Sequence, residues 1–473
     1  MQRRTVVWTF AISSLALFMV VLDNLVVTTA LPVIQRDLGA SLEQLEWTVN
    51  AYTLPYAVLL LSGAALGDRF GRRRIFILGL ALFTAASAGA ALAPDIGTLI
   101  AARALQGVGG AIVTPLSLTI LAEAVGANKR GVALGAWSAV GGIAVAGGPV
   151  VGGAVVQGLS WQWIFWINVP IGLALIPLAS TKLRESFGSR LPLDLPGLGL
   201  ISLGLLSLVW GLIHGNEDGW TSAGILSALG AGAALIIAFL LWERVAKAPM
   251  VPLRLFRNRP FAAANLASLL MYFGSFGAVF LLIQYLQVAQ GYSPLQAGLR
   301  CLPWTLAPMF VAPVIGAMSD KHGGGRYMVI GLALQAIGLA WLGLELSVDA
   351  PFSALLGGLV VSGIGNGFFF APVANVVLGS VPLEDEGKAS GINNALRELG
   401  GVFGIAVLAS VFSHYGSFAS PQDYVDGLLP AVWIGAAVIA VAAVAAVFIG
   451  KGETRYHTHE PAPARTPELA MAD

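Results

Sequence analysis

Long uninterrupted apolar runs organise this chain, in place of the alternation of a half-buried strand or the narrow stripe of a surface helix. A helix needs about 20 apolar residues to cross the hydrocarbon core of a bilayer. The sequence supplies about fourteen such runs, near 7–32, 46–66, 75–94, 97–121, 132–157, 163–181, 196–215, 221–242, 261–289, 294–318, 327–347, 353–377, 389–413 and 428–450. Lipid offers no partner for open backbone groups, so runs of this kind are read as helices. The expected fold class is therefore an all-α membrane protein with about fourteen transmembrane helices. Composition agrees: 57% of residues are hydrophobic and 11% charged, with a mean hydropathy of +0.80, against about 25% charged in a soluble protein.

The few charges give an orientation, because cytoplasmic loops carry an excess of Lys and Arg. Threading the runs back and forth places Arg3, Arg4, Arg69, Arg72, Arg73, Arg74, Lys129, Arg130, Lys182, Arg184, Arg190, Arg244, Lys247, Arg254, Arg257, Arg259, Lys321 and Arg326 on one face, with Lys451, Arg455 and Arg465 of the tail. The other face receives Arg36 among Asp37, Glu43, Glu217 and Asp218. Both termini are thus expected in the cytoplasm of a cell that holds this protein in its cytoplasmic membrane. The start, MQRRT, runs straight into an apolar stretch too long for a signal-peptide core, and no small-residue cleavage site follows. It reads as a retained first span. Residues 451–473 are polar with Pro and Ala, and are expected to be a disordered cytoplasmic tail.

The chemistry open to such a chain is narrow. A net charge of +1 gives no sign of nucleic acid, and the single Cys301 excludes an intramolecular disulfide. The loops leave no soluble domain for an enzyme or ATPase, and neither a phosphate-binding loop nor a helical zinc motif is present. No cofactor and no metal are expected; His457 and His459 in the tail are the only pair worth naming against that. The expected partners are the lipid bilayer, a small-molecule substrate and protons, and the expected state is a monomer.

The loops contain a repeat. Asp68-Arg69-Phe70-Gly71 with Arg74 matches Asp320-Lys321-His322-Gly323 with Arg326, at one offset of 252 residues. Each loop joins the second and third spans of a six-span unit if spans seven and eight are set apart. The expected organisation is a six-helix N-terminal half (1–181), two inserted helices with linkers (182–260), a six-helix C-terminal half (261–450) and the tail (451–473). Parallel halves about an axis along the membrane normal are a transporter architecture.

One run stands out for its glycines: residues 141–153 read GGIAVAGGPVVGG. Gly148 and Gly152, four apart, let a second helix approach closely, and Pro149 bends the helix between them. A tight crossing with no further role is the plain reading. The surrounding motifs change it. Leu22-Asp23-Asn24 through Ala30-Leu31-Pro32, Gly67-Asp68-Arg69-Phe70-Gly71-Arg72-Arg73, Arg103 with Gln106-Gly107-Val108-Gly109, Gly148-Pro149-Val150-Val151-Gly152-Gly153 and Trp161-Gln162-Trp163-Ile164-Phe165 with Asn168 and Pro170 occur in order. In these motifs the chain resembles the major facilitator superfamily, and within it the fourteen-helix drug:proton antiporter branch. Ala64 stands where that family usually has glycine, and Gln162 where the branch usually has arginine. The resemblance implies a proton-coupled exporter working by alternating access. It implies a cytoplasmic latch at Asp68, Arg72 and Asp320, and an antiporter motif at Gly148, Pro149, Gly152 and Gly153.

Two intramembrane charges are the candidates for proton coupling. Asp23 lies about 13 Å, and Arg103 about 9 Å, below the same face at 1.5 Å per residue. A charge at such depth costs at least about 2.5 kcal/mol and marks a functional site by default; a structural ion pair is the plainer alternative. At the corresponding turn of the second half, Gly363-Ile364-Gly365 matches Gly107-Val108-Gly109 with no basic residue before it. Proton handling is therefore expected in the N-terminal half. Tyr52, Trp137, Phe273, Phe276, Gln284, Asn366, Phe369 and Asn394 are the candidate substrate-binding residues, since aromatics with a few amides suit large, partly apolar ligands. Arg397 and Glu398 are expected to snorkel from the cytoplasmic end, and Arg300 to lie deeper from the outer one. A dedicated exporter of one metabolite or antibiotic and a non-transporting sensor are the competing readings.

Overall fold

The computed structural model describes residues 2–125, 130–188 and 193–450. The expectations for Lys129, Arg190 and the 451–473 tail lie outside those residues. Fifteen α-helices run in order among the described residues: α1 Gln2–Leu38, α2 Leu42–Phe70, α3 Arg72–Ala91, α4 Ile96–Ala124, α5 Arg130–Gly158, α6 Trp163–Trp166, α7 Asn168–Lys182, α8 Leu195–Asp218, α9 Ala223–Val245, α10 Arg259–Val288, α11 Pro294–His322, α12 Gly325–Glu345, α13 Phe352–Gly379, α14 Glu386–Tyr415 and α15 Pro421–Val447. They make fourteen candidate spans, because α6 and α7 together form one of 20 residues. This is a multi-pass membrane protein, as the apolar runs predict.

The helices are mostly longer than the apolar runs, because their polar ends continue into well-formed caps. Ser41 and Gln44 form a reciprocal capping box at the start of α2, and Ser293 and Gln296 form the same box at the start of α11. Each box satisfies two backbone donors that the helix leaves open. Gly39 and Gly291 precede the boxes with φ of 63° and 68°, and Gly71 and Gly323 close α2 and α11 with φ of 106° and 82°. Only glycine adopts such values without strain. All of these pairs stand 252 residues apart, so the internal repeat extends from the loop motif into caps and turns.

The sixth span departs from the expected continuous helix. Pro170 lacks an N–H and its ring crowds the carbonyl four residues back, and α6 ends there, at Trp166. The interruption leaves Asn168 at the first turn of α7, facing inward and 2% exposed.

Packing separates the helices into two groups. In the first, α4 lies against α2 and α3, and α1 against α5 and α4; in the second, α13 lies against α11 and α12, and α10 against α14 and α15. The pair α8 and α9 pack on each other, and α8 touches α2 and α14. The groups meet where α5 crosses α11 and where α2 crosses α14. The turn at Gly71 and the first turn of α3, Arg72–Arg74, mark one face of the bundle, here termed the basic face. Away from it, Gln287 Nε2 donates to Thr29 O (3.0 Å), Thr305 Oγ1 to Ala146 O (3.3 Å), and Leu295 N to Gln157 Oε1 (3.4 Å).

Candidate functional site

Asp23 and Arg103 meet directly. Asp23 is 1% and Arg103 0% exposed, and Arg103 Nη1 lies 2.5 Å from Asp23 Oδ2. Three further helices complete the shell. Asn168 Nδ2 of α7 donates to Asp23 Oδ1 (2.6 Å), as does Gln106 Nε2 of α4 (3.1 Å). Gln106 also donates to Ser87 Oγ of α3 (2.7 Å) and accepts from Arg103 Nη1 (2.9 Å). Arg103 Nε donates to Thr48 O of α2 (3.2 Å), and its guanidinium lies 4.2 Å from the Tyr52 ring centre.

Helix spacing explains the convergence. Arg103 and Gln106 are three apart and share a face of α4. Gly107, on the next position, lets that face touch the backbone of Tyr52. Asp95 caps the helix that carries them: the Thr98 backbone N–H and then its hydroxyl donate to the Asp95 carboxyl and hold it below the usual carboxylate range. One donor is left over, since Arg103 Nη2 is buried without a partner among the described residues. Burial and a neighbouring guanidinium act in opposite senses on whether a carboxyl holds its proton. A small movement of Arg103 relative to Asp23 therefore changes which state is favoured.

The second group holds the matching position without the charges. Shifted by 252, Asp23 corresponds to Ser275; shifted by the 256 that relates Gly107 to Gly363, Arg103 and Gln106 correspond to Leu359 and Ser362. Gly79 lies against Gly109, and their counterparts Gly331 and Gly365 lie against each other, so both offsets hold in space. Ser275, Leu359 and Ser362 line one apolar cavity with Cys301 and Trp304. Where one group has an ion pair, the other has a small hollow.

The loop residues brace each group internally. Arg72 lies 2.7 Å from Asp68 and also pairs with Glu123 of α4, while Asp320 Oδ1 accepts from Asn375 Nδ2 of α13 (2.5 Å). The segment after α7 joins the first brace, with Gly188 N donating to Asp68 O and Arg73 N to Glu185 Oε1. The glycine motif of α5 faces two ways. A methyl group at Gly148 would stand 2.6 Å from Leu25 Cβ and one at Gly152 would stand 2.8 Å from Val26 O, both on α1. One at Gly153 would stand 2.7 Å from Leu295 Cα, and Gly298 of α11 would in turn meet the Pro149 carbonyl.

The eight candidate pocket residues do not form one pocket. Tyr52 belongs to the Asp23 shell, stacked on Tyr56 with ring centres 5.9 Å apart. Phe276 stacks on Tyr272 (4.7 Å), and Asn394 Oδ1 accepts from Arg397 Nη1 (3.2 Å). Gln284, Phe369 and Asn366 are buried among packed helices, Phe273 offers its backbone to Gly404, and Trp137 is half-buried on α5. Arg397 and Glu398 are not at a helix end: α14 begins at Glu386, which sets Arg397 about 17 Å along it at 1.5 Å per residue. Arg397 bonds the Tyr272 hydroxyl and lies 5.1 Å from the Phe370 ring, and Glu398 follows it on α14, the helix that meets α2 at the seam. Arg300 stacks over Tyr292 at 3.6 Å. Gln106 and Asn168 stood in the quoted motifs without a role; nothing in the sequence marks Thr48, Ser87 or Tyr56.

Comparison with known proteins agrees with this architecture. The family model described as Major Facilitator Superfamily matches residues 13–303 and 264–470. The chain is 35% identical to the multidrug resistance protein Stp of Mycobacterium tuberculosis over 91% of this chain and 80% of that one. It is 34% identical to the tetracenomycin C resistance and export protein of Streptomyces glaucescens over 89% and 78%, and 37% identical to the cephamycin export protein CmcT of Amycolatopsis lactamdurans over 86% and 85%. In fold it is similar to a POT family transporter crystallised with a thioalcohol-conjugated peptide, at a TM-score of 0.69 and 16% identity over 93% of this chain and 96% of that one. With its paired helical groups, buried charge network and these relatives, the chain is a transporter rather than an enzyme, and it belongs to the major facilitator superfamily.

Proposed function

We propose that this protein is a proton-coupled antiporter that exports lipophilic, often cationic, small molecules across the cytoplasmic membrane by alternating access. The observation that carries the reading is the buried Asp23–Arg103 pair, closed by Gln106 and Asn168. A carboxyl held this way exchanges a proton when its partner moves, and a rocking motion of two groups supplies the movement. In this reading residues 1–181 and 261–450 are the rocking halves, 182–260 an insertion, and the basic face with both termini is cytoplasmic. Asp68, Arg72 and Asp320 stiffen the cytoplasmic ends of the halves, and Gly148, Pro149, Gly152 and Gly153 form their outer crossing. Substrate passes the seam between Tyr52, Tyr56, Tyr272, Phe276, Phe370, Asn394 and Glu398, where aromatic side chains with a few polar groups suit large, partly apolar ligands. Relatives named for the export of tetracenomycin C and cephamycin favour a second reading, a dedicated exporter of one antibiotic.

The test is transport in proteoliposomes under an imposed pH gradient. Asp23→Asn keeps the size and hydrogen-bonding groups and removes the titration. Uphill efflux should disappear while expression and folding persist; full gradient-driven efflux by that variant refutes the assignment of Asp23.

A further inference from the structure

The two seams between the helical groups differ. At one, Leu54 and Val58 of α2 share an apolar cluster with Val402 and Ala406 of α14 and Val209 of α8. A methyl group at Gly391, near the basic end of α14, would run into the Leu61 side chain of α2. This seam stays packed toward the basic face, and α8 lies over it. At the other, Ala146, Pro149 and Gly153 of α5 meet Thr305, Gly298 and Leu295 of α11, in the half away from the basic face.

With 3.6 residues per turn, that face of α5 continues toward the basic face as Gly142, Ala139 and Gly135. A methyl group at Gly142 or Gly135 would meet nothing within 4 Å, and none of residues 133–143 is buried. The facing row of α11 runs on from Thr305 to Met309 and Ala312 with Leu306 beside it, and both Leu306 and Met309 are exposed. Each helix keeps to its own group. A methyl at Gly141 would lie 3.2 Å from Leu17 of α1, and one at Gly367 of α13 would stand 2.6 Å from Val311 of α11. From Ala146 to Gly135 the two helices therefore part over about 16 Å, roughly the hydrocarbon depth of one leaflet.

We propose that substrate enters sideways, from the lipid leaflet at the basic face through the opening between α5 and α11, rather than from the water beyond that end of the bundle. This rests on the export reading and adds a substrate class to it: molecules that dissolve in hydrocarbon before they bind. Gly135, Ala139, Gly142, Leu306, Met309 and Ala312 carry no charge and no side-chain nitrogen or oxygen. A hydrated solute finds no replacement there for its water, whereas a molecule already in lipid has none to lose. The three small residues of α5 also let α11 close against them, as it does at Pro149 and Gly153, so the opening can shut as the groups rock.

Fluorescence quenching reads the opening without any transport assay. Bimane on Gly142→Cys or Met309→Cys, each with Cys301→Ala, is placed in nanodiscs of phosphatidylcholine brominated at mid-chain. The brominated lipid should quench both labels strongly and aqueous iodide only weakly, while the same label on Leu61→Cys at the packed seam should respond to neither. Stopped-flow binding of tetraphenylphosphonium to unlabelled protein in nanodiscs, with no gradient, reads the route. Ala139→Leu with Gly142→Leu narrows the opening and should slow association and dissociation alike, about tenfold for each ~1.4 kcal/mol added to the barrier, at unchanged Kd. Quenching at 142 and 309 by iodide rather than lipid, quenching no stronger than at 61, or a changed Kd with an unchanged association rate overturns the proposal. Wild-type protein that does not bind tetraphenylphosphonium counts instead against the export of lipophilic cations, and the quenching still decides the opening.

Discussion

The outer crossing of the proposed antiporter rests on one glycine outside the recognised motif, and its substitution has a calculable effect. A methyl group at Gly298 would stand 2.7 Å from the Pro149 carbonyl carbon and 3.1 Å from Val150 Cα, with the Pro149 oxygen nearer still. Carbon pairs prefer about 3.5–4.0 Å, so α5 and α11 must separate by roughly 1 Å at this point. Backbone atoms on both sides prevent the side-chain adjustments that usually absorb such overlap. Overpacking of this kind costs about 1–3 kcal/mol. The cost falls on the conformation in which the crossing is closed, so Gly298→Ala should shift the balance of states by roughly 5- to 150-fold toward the one with the crossing open. Spin labels on Leu159→Cys and Asp349→Cys, in a Cys301→Ala background, report the separation of the two groups at that face. The variant should move the distance distribution to longer values and reduce uphill transport. Gly316→Ala on the same helix is the control, because a methyl there meets only Ala371 Cβ at an ordinary 3.4 Å. An unchanged distribution in Gly298→Ala would refute the packing argument.

Removing the guanidinium strands a buried carboxyl: Arg103→Leu should lower stability by about 3–5 kcal/mol, read as a lower Tm in detergent, and Asp23→Asn in addition should recover part of it. In the second helical group Leu359→Arg places a lone charge in the apolar hollow and should destabilise by a similar order; adding Ser275→Asp, which restores the partner found in the first group, should raise the Tm again. If the double variant is no better than Leu359→Arg, the two positions are not equivalent. The cap of α4 has a pH limit: Asp95 has a lowered pKa when folded, so its contribution is present above the usual carboxylate range and is lost as pH falls through it. Protection at Thr98, after correction for intrinsic exchange, should fall in acid in the wild type and be independent of pH in Asp95→Asn.

Much of this protein is legible along the chain because the bilayer makes a local demand. Each span must be apolar over its own length, so the fourteen spans and their approximate limits can be read without any tertiary information. The asymmetric basic loops and the 252-residue offset are likewise properties of sequence alone, and the offset extends to the caps at Ser41 and Ser293. Asp23 and Arg103 stood out as charges in apolar runs, which is again a local signal. Their partners carried no such signal. Ser87, Thr48 and Asn168 are ordinary polar residues, and only the packing of α2, α3 and α7 around α4 brings their atoms to one point. Lipid-facing and protein-facing sides of a membrane helix are both apolar, so periodicity could not say that Gln284 and Phe369 are packed away or that Arg397 and Glu398 lie mid-helix at the seam. The broken sixth span depends on Pro170, visible in the sequence, but its consequence, the reach of Asn168 to Asp23, exists only in three dimensions. The hollow behind Ser275, Leu359 and Ser362 was decided by tertiary structure as well, since a void is a property of neighbours that fail to meet.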